Sequence, residues 1–531
     1  MIQEFVDKIA IVVMFFFTSE AARQLGQQAT RSDDGADNTV TSSEEQRSVL
    51  VDHGQGSATF EQQKETDALQ QHKDEEENTR TAYGTVSNTV PSEGLTLFLS
   101  CRTSLSISFS IIAAVIPVSL LMISVLYMDV NTSNICYQHL VNNGSFPQKF
   151  MKYVIIGHDV EGIALNLWFQ MTLILVFGWQ RFKLRHSITL LLGFVLGFIV
   201  VIFKTTLFLE NINFTQTKYR YPGNVVFFFG VVYSSYLVAK KECALLSSSV
   251  IFLKKRHVIA ILSIQYFLGG LIAMVYRYVL VVWYRNTKNG TNQAIIAMIT
   301  PTLFLLPMVI SENMAIKSSP FISADRSFIL VYFINGVGIL LYCVMQAGVS
   351  SLDIFILLSV FRGVFQIFQI ATVKIRQRIF IAIWKCLVCQ CKSCPPLGEF
   401  EESGHRRRLK VDKEIQVMLY QSIAIIVSQA YLVLYLTSNY HVETREILIE
   451  FIIKRAFIGI GISFVANYLS ILIHIYQHKT ELAKVWKTRW KLHLLTVSLV
   501  GVLSICYFTP VLFSVFKAFA YTKKYQIRDC T

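Results

Sequence analysis

Charge is scarce in this chain. Only 16% of its 531 residues are Asp, Glu, Lys or Arg, while 53% are hydrophobic; a soluble domain usually carries roughly 25% charged residues. No G-x-x-x-x-G-K-[ST] loop occurs, which argues against an ATP-driven pump of the P-loop type. There is no H-E-x-x-H, and no Ser, His and Asp at telling spacing inside the apolar stretches. The expectation is therefore a protein that is not an enzyme and holds no metal or other cofactor. The ten cysteines are scattered except for Cys386, Cys389, Cys391 and Cys394, so they form no disulfide framework.

A basic partner surface is also lacking, although the net charge is +14. Between Glu20 and Glu93 fifteen acids face six bases, which leaves an excess of 23 positive charges elsewhere. That excess lies in short loops between apolar runs, where membrane topology places it. No nucleic-acid partner is expected.

What is present in quantity is apolar run after apolar run. Phe (39) and Tyr (23) are plentiful, as suits lipid-facing helices with rings at the interface. Spans are predicted at Leu105–Met128, Tyr153–Trp179, Ile188–Leu209, Val225–Ala239, Val258–Tyr284, Ile295–Ile316, Phe328–Ala347, Ile354–Val373, Ile415–Thr437, Phe451–Tyr476 and Leu492–Phe516. Each must be helical, because a chain in lipid satisfies its own backbone hydrogen bonds. The fold class is all-α, a polytopic transmembrane bundle of about 10–11 spans. The domain reading is a disordered, cytosolic N-terminal tail over 1–100 and an N-terminal transmembrane half over 101–320. A C-terminal half over 321–491 follows, with a basic cytosolic loop at 374–413, then an extra apolar segment and basic tail over 492–531. Ile9–Phe17 is half the length of a span, and Glu4 and Asp7 beside Lys8 make a poor signal sequence; it reads as a short interfacial or packed helix. The last apolar run either crosses or re-enters.

Orientation has two independent signals. The N-x-S/T sequons at Asn131, Asn143, Asn213 and Asn289 follow the first, third and fifth spans, so glycans would share one face. Arg181, Lys183 and Arg185, then Lys240, Lys241, Lys254, Lys255 and Arg256, fill the alternate loops. Basic loops prefer the cytosol, which puts the N-terminus there and suits a multi-pass protein of the plasma membrane. The four clustered cysteines sit in a basic segment beside a span. Reversible palmitoylation fits them better than zinc, and inert thiols are the plain alternative.

Polar residues inside the spans are few and costly, which makes them functional candidates. The stretch Thr300–Ser318, with Pro301, Pro307 and the carboxylate Glu312, lies at the middle of the embedded chain. Around it are Lys204, Gln265, Arg277, Arg362, Gln366, Gln369, Gln429, Asn467 and His474. Lys204 and Arg277 lie near span ends and can snorkel. Arg362 lies deeper and needs a partner, for which Glu312 is the candidate. The glutamines read either as plain interhelical hydrogen bonds or as the lining of a narrow, sparsely hydrated proton path.

The order of these features resembles the otopetrins, a family of proton channels with paired six-helix halves. Their third helix opens R-x-S-I-T-L and carries a lysine; here Arg185, Ser187, Ile188, Thr189 and Leu190 precede Lys204. Their fifth has a central Asn where HVIAILSIQYF places Gln265. Their sixth, Y-L-Y-P-F-x-I-E-Y, is similar to LFLLPMVISEN with Pro307 and Glu312. LLSVFRGVFQIFQIATVKIRQR, with Gln366, looks like the family's Gln-bearing helix, and Gln429 stands where the next helix has an Asn. IYQHKTELAKVW is similar to the end of the final helix through Tyr476, His478, Leu482, Val485 and Trp486. Two spans have no counterpart between Glu312 and Phe328, and Gly230 and Val231 stand where an amide is usual. The resemblance covers about 105–490 and implies two pseudo-repeated halves and a homodimer passing protons down their gradient. In that reading Glu312 titrates, Gln265, Gln366 and Gln429 order water, Arg362 and Lys204 flank the path, and His478 senses pH at the cytosolic end. A secondary transporter for a small solute and a multi-pass sensory receptor remain the other readings; membrane lipid is the one further partner expected.

Overall fold

Helix α1, Glu93–Thr132, is 40 residues long and almost wholly apolar from Ser104 onward. Nine more helices or helix pairs among the described residues are likewise long and apolar enough to cross a membrane. The computed structural model describes residues 93–132, 148–210, 217–246, 255–287, 289–372, 375, 404–442, 445–478 and 482–527. The tail and Ile9–Phe17 lie outside them, as do Asn143, Asn213 and the four clustered cysteines. Pro91–Thr531 makes one compact unit.

The helices follow as α2 (Gln148–Phe177), α3 (Trp179–Arg185), α4 (Ser187–Leu209), α5 (Thr217–Leu246) and α6 (Lys255–Val275). A π turn over Tyr276–Leu280 carries α6 directly into α7 (Val281–Asn286). Next come α8 (Gly290–Leu303), α9 (Leu305–Lys317), a 3-10 turn at Ser327–Leu330, α10 (Tyr332–Ala347) and α11 (Leu352–Ala371). The last three are α12 (Gly404–Asn439), α13 (Arg445–His478) and α14 (Leu482–Thr522). Two-residue strands β1 (Tyr440–His441) and β2 (Gln526–Ile527) pair antiparallel.

Local sequence explains the interruptions. The proline ring of Pro307 cannot tolerate a helical carbonyl four residues back, at Leu303, and α8 ends at Leu303. The predicted span Ile295–Ile316 is thus two helices in series. The π turn absorbs one extra residue. Tyr276 and Tyr284, eight residues apart, would sit about 80° out of phase on an ordinary helix; with the extra residue absorbed they share a face. Both then donate to α10, Tyr276 to the Leu341 carbonyl at 3.1 Å and Tyr284 to the Met345 carbonyl at 3.0 Å.

The core is α10. Every one of its 16 residues is buried, and α6, α8, α12 and α14 pack around it. Glycine makes the close approach possible: a Cβ on Gly336 would meet the Tyr420 ring at 2.7 Å, and one on Gly338 the Phe304 ring at 2.8 Å. A helix that is apolar all round belongs inside a bundle or a bilayer; α10, shorter than a span, is enclosed by protein. By contrast α4 exposes Leu191, Phe194, Phe198 and Ile202 along one face, the surface a lipid-facing helix presents.

Helix α14 contains the last apolar run. It is continuous over 41 residues, with no break at 491/492. Near its start Arg489 pairs with Asp325 ahead of α10, and near its end Val515 lies against Gly348 just past α10. It therefore runs the whole length of α10, and its far end joins β2 to β1 beyond α12. Lys517, Lys523 and Lys524 consequently lie toward the face opposite Arg489. Helix α12 likewise begins at Gly404, so the last ten residues of the loop expected over 374–413 are helical.

Candidate functional site

Three consecutive charges, Asp412, Lys413 and Glu414, lie near the start of α12 and are buried or nearly so. Successive helical residues diverge by about 100°, so each side chain meets a different neighbour.

Asp412 faces α14. Its carboxylate takes the Arg408 Nε–H at 2.7 Å and lies 3.2 Å from His493 Nε2. The Gln416 amide nitrogen is 2.7 Å from His493 Nδ1 and donates to the His493 carbonyl at 3.2 Å. An amide nitrogen can only donate, so Nδ1 accepts and the proton sits on Nε2, facing Asp412. The Phe328 ring stacks on His493 with centroids 4.7 Å apart. Asp412 and His493 are both fully buried.

Lys413 faces α9 and forms a salt bridge with Glu312, both side chains being mostly buried. Glu414 faces α11 and α13. It accepts from the Gln366 amide at 2.9 Å, and the same nitrogen lies 3.4 Å from Asn467 Oδ1. His474 Nε2 stands 3.9 Å from the other carboxylate oxygen. One turn before Gln366, Arg362 lies within electrostatic reach of Glu414, Tyr342 and Cys343, and its buried Nε has no hydrogen-bond partner among the described residues. Glu312 is thus not the partner of Arg362, as the sequence reading had it. Lys413 takes Glu312, and Glu414 is the carboxylate within electrostatic reach of Arg362.

A second buried set lies in the first half of the bundle. Glu242 on α5 takes Arg181 at 2.5 Å and His186 Nε2 at 2.9 Å. Arg181 also donates to the Phe321 carbonyl at 3.3 Å, and Arg326 donates to the Leu175 carbonyl at 2.9 Å. The turn between α9 and α10 is thereby tied to α2 and α3. Asp325, in that turn and outside the spans, is subject to burial, which raises its carboxyl, but Arg489, Arg326, the Ser323 hydrogen bond and Arg408 together hold it below the usual carboxylate range.

Glu312, Arg362 and Gln366 therefore converge on α12. Gln265 and Gln429 do not: no hydrogen bond joins either to this cluster among the described residues. Gln265 is fully buried with neither side-chain atom partnered, and Gln429 leaves its Oε1 unpartnered. A buried amide atom left without a protein partner is a place where ordered water can bind. Lys204 is half-buried, its ammonium beside Gly162 on α2. His478 ends α13, and its side chain lies outside the described residues. The segment Tyr476–Trp486 is split between the end of α13 and the start of α14. Asn289 is exposed and caps α8, its Oδ1 accepting the Thr291 N–H at 2.9 Å; Asn131 lies in the last turn of α1. No group of three or more His, Cys, Asp or Glu is disposed to hold a metal among the described residues.

Asp412 and Glu414 escaped the sequence reading because RRRLKVDKE looks like a solvated basic loop, and His493 because its partner Asp412 lay in that stretch. The detectable signal was helical: Leu409, Asp412 and Gln416 fall at i, i+3 and i+7, one face of a helix running into the apolar stretch.

No protein-family model, curated protein or solved structure matches the chain.

Proposed function

We propose that this membrane protein passes protons down their gradient in the manner of an otopetrin-like channel, with Glu414 as the principal proton-carrying group. The observation that carries the reading is the placement of Glu414. It is a buried carboxylate hydrogen-bonded to Gln366, with Asn467 and His474 beside it and the Lys413–Glu312 pair on the next residue. A proton relay needs a group that exchanges protons and amides or imidazoles that hand them on without admitting larger ions. Gln265 and Gln429 supply orphaned amides where water can be ordered. The sequons and basic loops support a cytosolic N-terminus in the plasma membrane with glycans at Asn131, Asn143, Asn213 and Asn289, and the family resemblance supports a homodimer.

Whole-cell recording under stepped external acid tests this reading. The wild type gives acid-evoked inward current, and Glu414→Gln with confirmed surface expression loses most of it. Wild-type current in both Glu414→Gln and Glu312→Gln would end the proposal. One observation favours a transporter instead: Arg362 has a buried, unpartnered Nε available to an anionic solute. Saturable anion uptake abolished by Arg362→Gln would establish that alternative.

A further inference from the structure

Helices α1 and α14 part at one place to leave an open groove of about 390 Å³, at the small end of the roughly 300–1,000 Å³ of ligand pockets. One wall is Ser106, Ser110 and Ala114, spaced four residues apart on α1, with Ile107 beside them. The other is Ala483, Trp486, Lys487 and Trp490, one face of the start of α14. Small residues on α1 create the space. Trp486 closes its floor by donating its indole N–H to Ser110 Oγ at 2.9 Å, while Trp490 stands at the rim, 40% exposed.

The chemistry of the rim is one-signed. Lys487 lines the groove, Lys484 and Arg102 are exposed within a turn of it, and Lys491 stands over the Trp490 ring at 5.7 Å. Among the described residues, no carboxylate lines the groove. Both walls belong to helices that cross a membrane, so the groove opens sideways into lipid near the level where spans meet headgroups. Tryptophan and lysine together at that depth anchor a helix to the interface, and basic residues there attract anionic lipid.

The geometry points to a binding site for one anionic phospholipid, its acyl chain lying over Ser110 and Ala114 and its phosphate held at Lys487. Apolar walls below and ammonium groups above match the two ends of such a molecule. A second protein helix would find only a short notch whose rim repels other basic helix ends.

The test uses the full chain, purified in detergent and stripped of lipid, with native mass spectrometry after addition of dioleoyl-phosphatidylglycerol or dioleoyl-phosphatidylcholine. The wild type retains phosphatidylglycerol preferentially as a single saturable adduct. Lys487→Ala weakens that adduct about fivefold, the effect of one lysine near an anionic surface. Ser110→Trp, which fills the groove, removes the preference, while Lys454→Ala, an exposed lysine paired with Glu450 elsewhere, leaves it intact. Equal retention of both lipids by the wild type would overturn the assignment, as would an unchanged preference in Lys487→Ala. A Ser110→Trp protein that loses a dimer but keeps its lipid preference would instead give the groove to a second copy of the chain.

Discussion

Arg455 and Glu414 are both buried charges in the second half of the bundle, and they are held in opposite ways. The guanidinium of Arg455 is fully buried, and among the described residues every hydrogen bond it makes goes to backbone: the Ala347 carbonyl at 3.1 Å, the Ser351 carbonyl at 3.1 Å and the Val349 carbonyl. The rings of Phe355 and Phe451 flank it at 4.9 and 4.4 Å. These carbonyls include the last one of α10, which has no partner within its own helix, so Arg455 fastens the central helix where it ends. Glu414 instead touches side chains: Gln366, with Asn467, His474 and Arg362 around it. Carbonyl dipoles are fixed and hold no exchangeable proton, whereas amides and imidazoles can turn, donate or accept. A buried charge bound to backbone is a structural clamp; one bound to side chains can change state.

The largest expected effect tests the clamp. Arg455→Leu leaves three buried carbonyls without their donor, a loss on the order of 3 kcal/mol or more from charge-assisted hydrogen bonds. Thermal unfolding in detergent should show a much lower midpoint, and Arg455→Lys should not restore it, because an ammonium lacks the planar fork. An unaltered midpoint in Arg455→Leu would erase the contrast. Next comes Glu414→Gln, which keeps shape and hydrogen bonding but removes the exchangeable charge. Its unfolding midpoint should stay near wild type, within about 1 kcal/mol, while acid-evoked flux falls away; a large loss of stability with flux retained would make Glu414 a second clamp. Glu312→Gln should cost less, about 1 kcal/mol, since the Lys413 pair is partly solvated and Lys413 keeps some access to water; its flux should fall only in part.

The smallest effect is in acid stability. Asp325 titrates lower in the folded protein than in the unfolded chain. Between the two values the unfolded chain binds more protons, so the contribution is complete above about pH 4 and is lost as pH falls through the folded value. Asp325→Asn should flatten that acid limb of a melting-temperature profile, and Arg489→Gln should shift it in the same direction. An acid limb unchanged in both variants would show that the turn between α9 and α10 carries no such linkage.

Much of the bundle was legible. Every predicted span except Phe328–Ala347 falls on a helix or helix pair long enough to cross a membrane, because a run of about 20 apolar residues has one workable conformation in lipid. The misses have physical causes. Pro307 divides one span, and a π turn prolongs another without breaking it. Charge misled at the start of α12: Arg406, Arg408 and Asp412 read as a solvated loop, yet all three are buried, since ions can leave water when their partners come with them. Of the candidate site, Gln366, Arg362 and Glu312 were found as costly polar residues in spans, but their grouping was not.

What the sequence determined alone is that this chain is a multi-pass helical membrane protein. Backbone hydrogen bonding in lipid is local, so composition over a few turns decides it. What tertiary structure decided is which charge meets which: Lys413 finds Glu312 across 101 residues, His493 meets Asp412 across 81, and Gln366 meets Glu414 across 48. The same holds for α10, which is shorter than a span yet becomes the centre. Its glycines admit Tyr420 and Phe304, and only packing in three dimensions brings those rings to it.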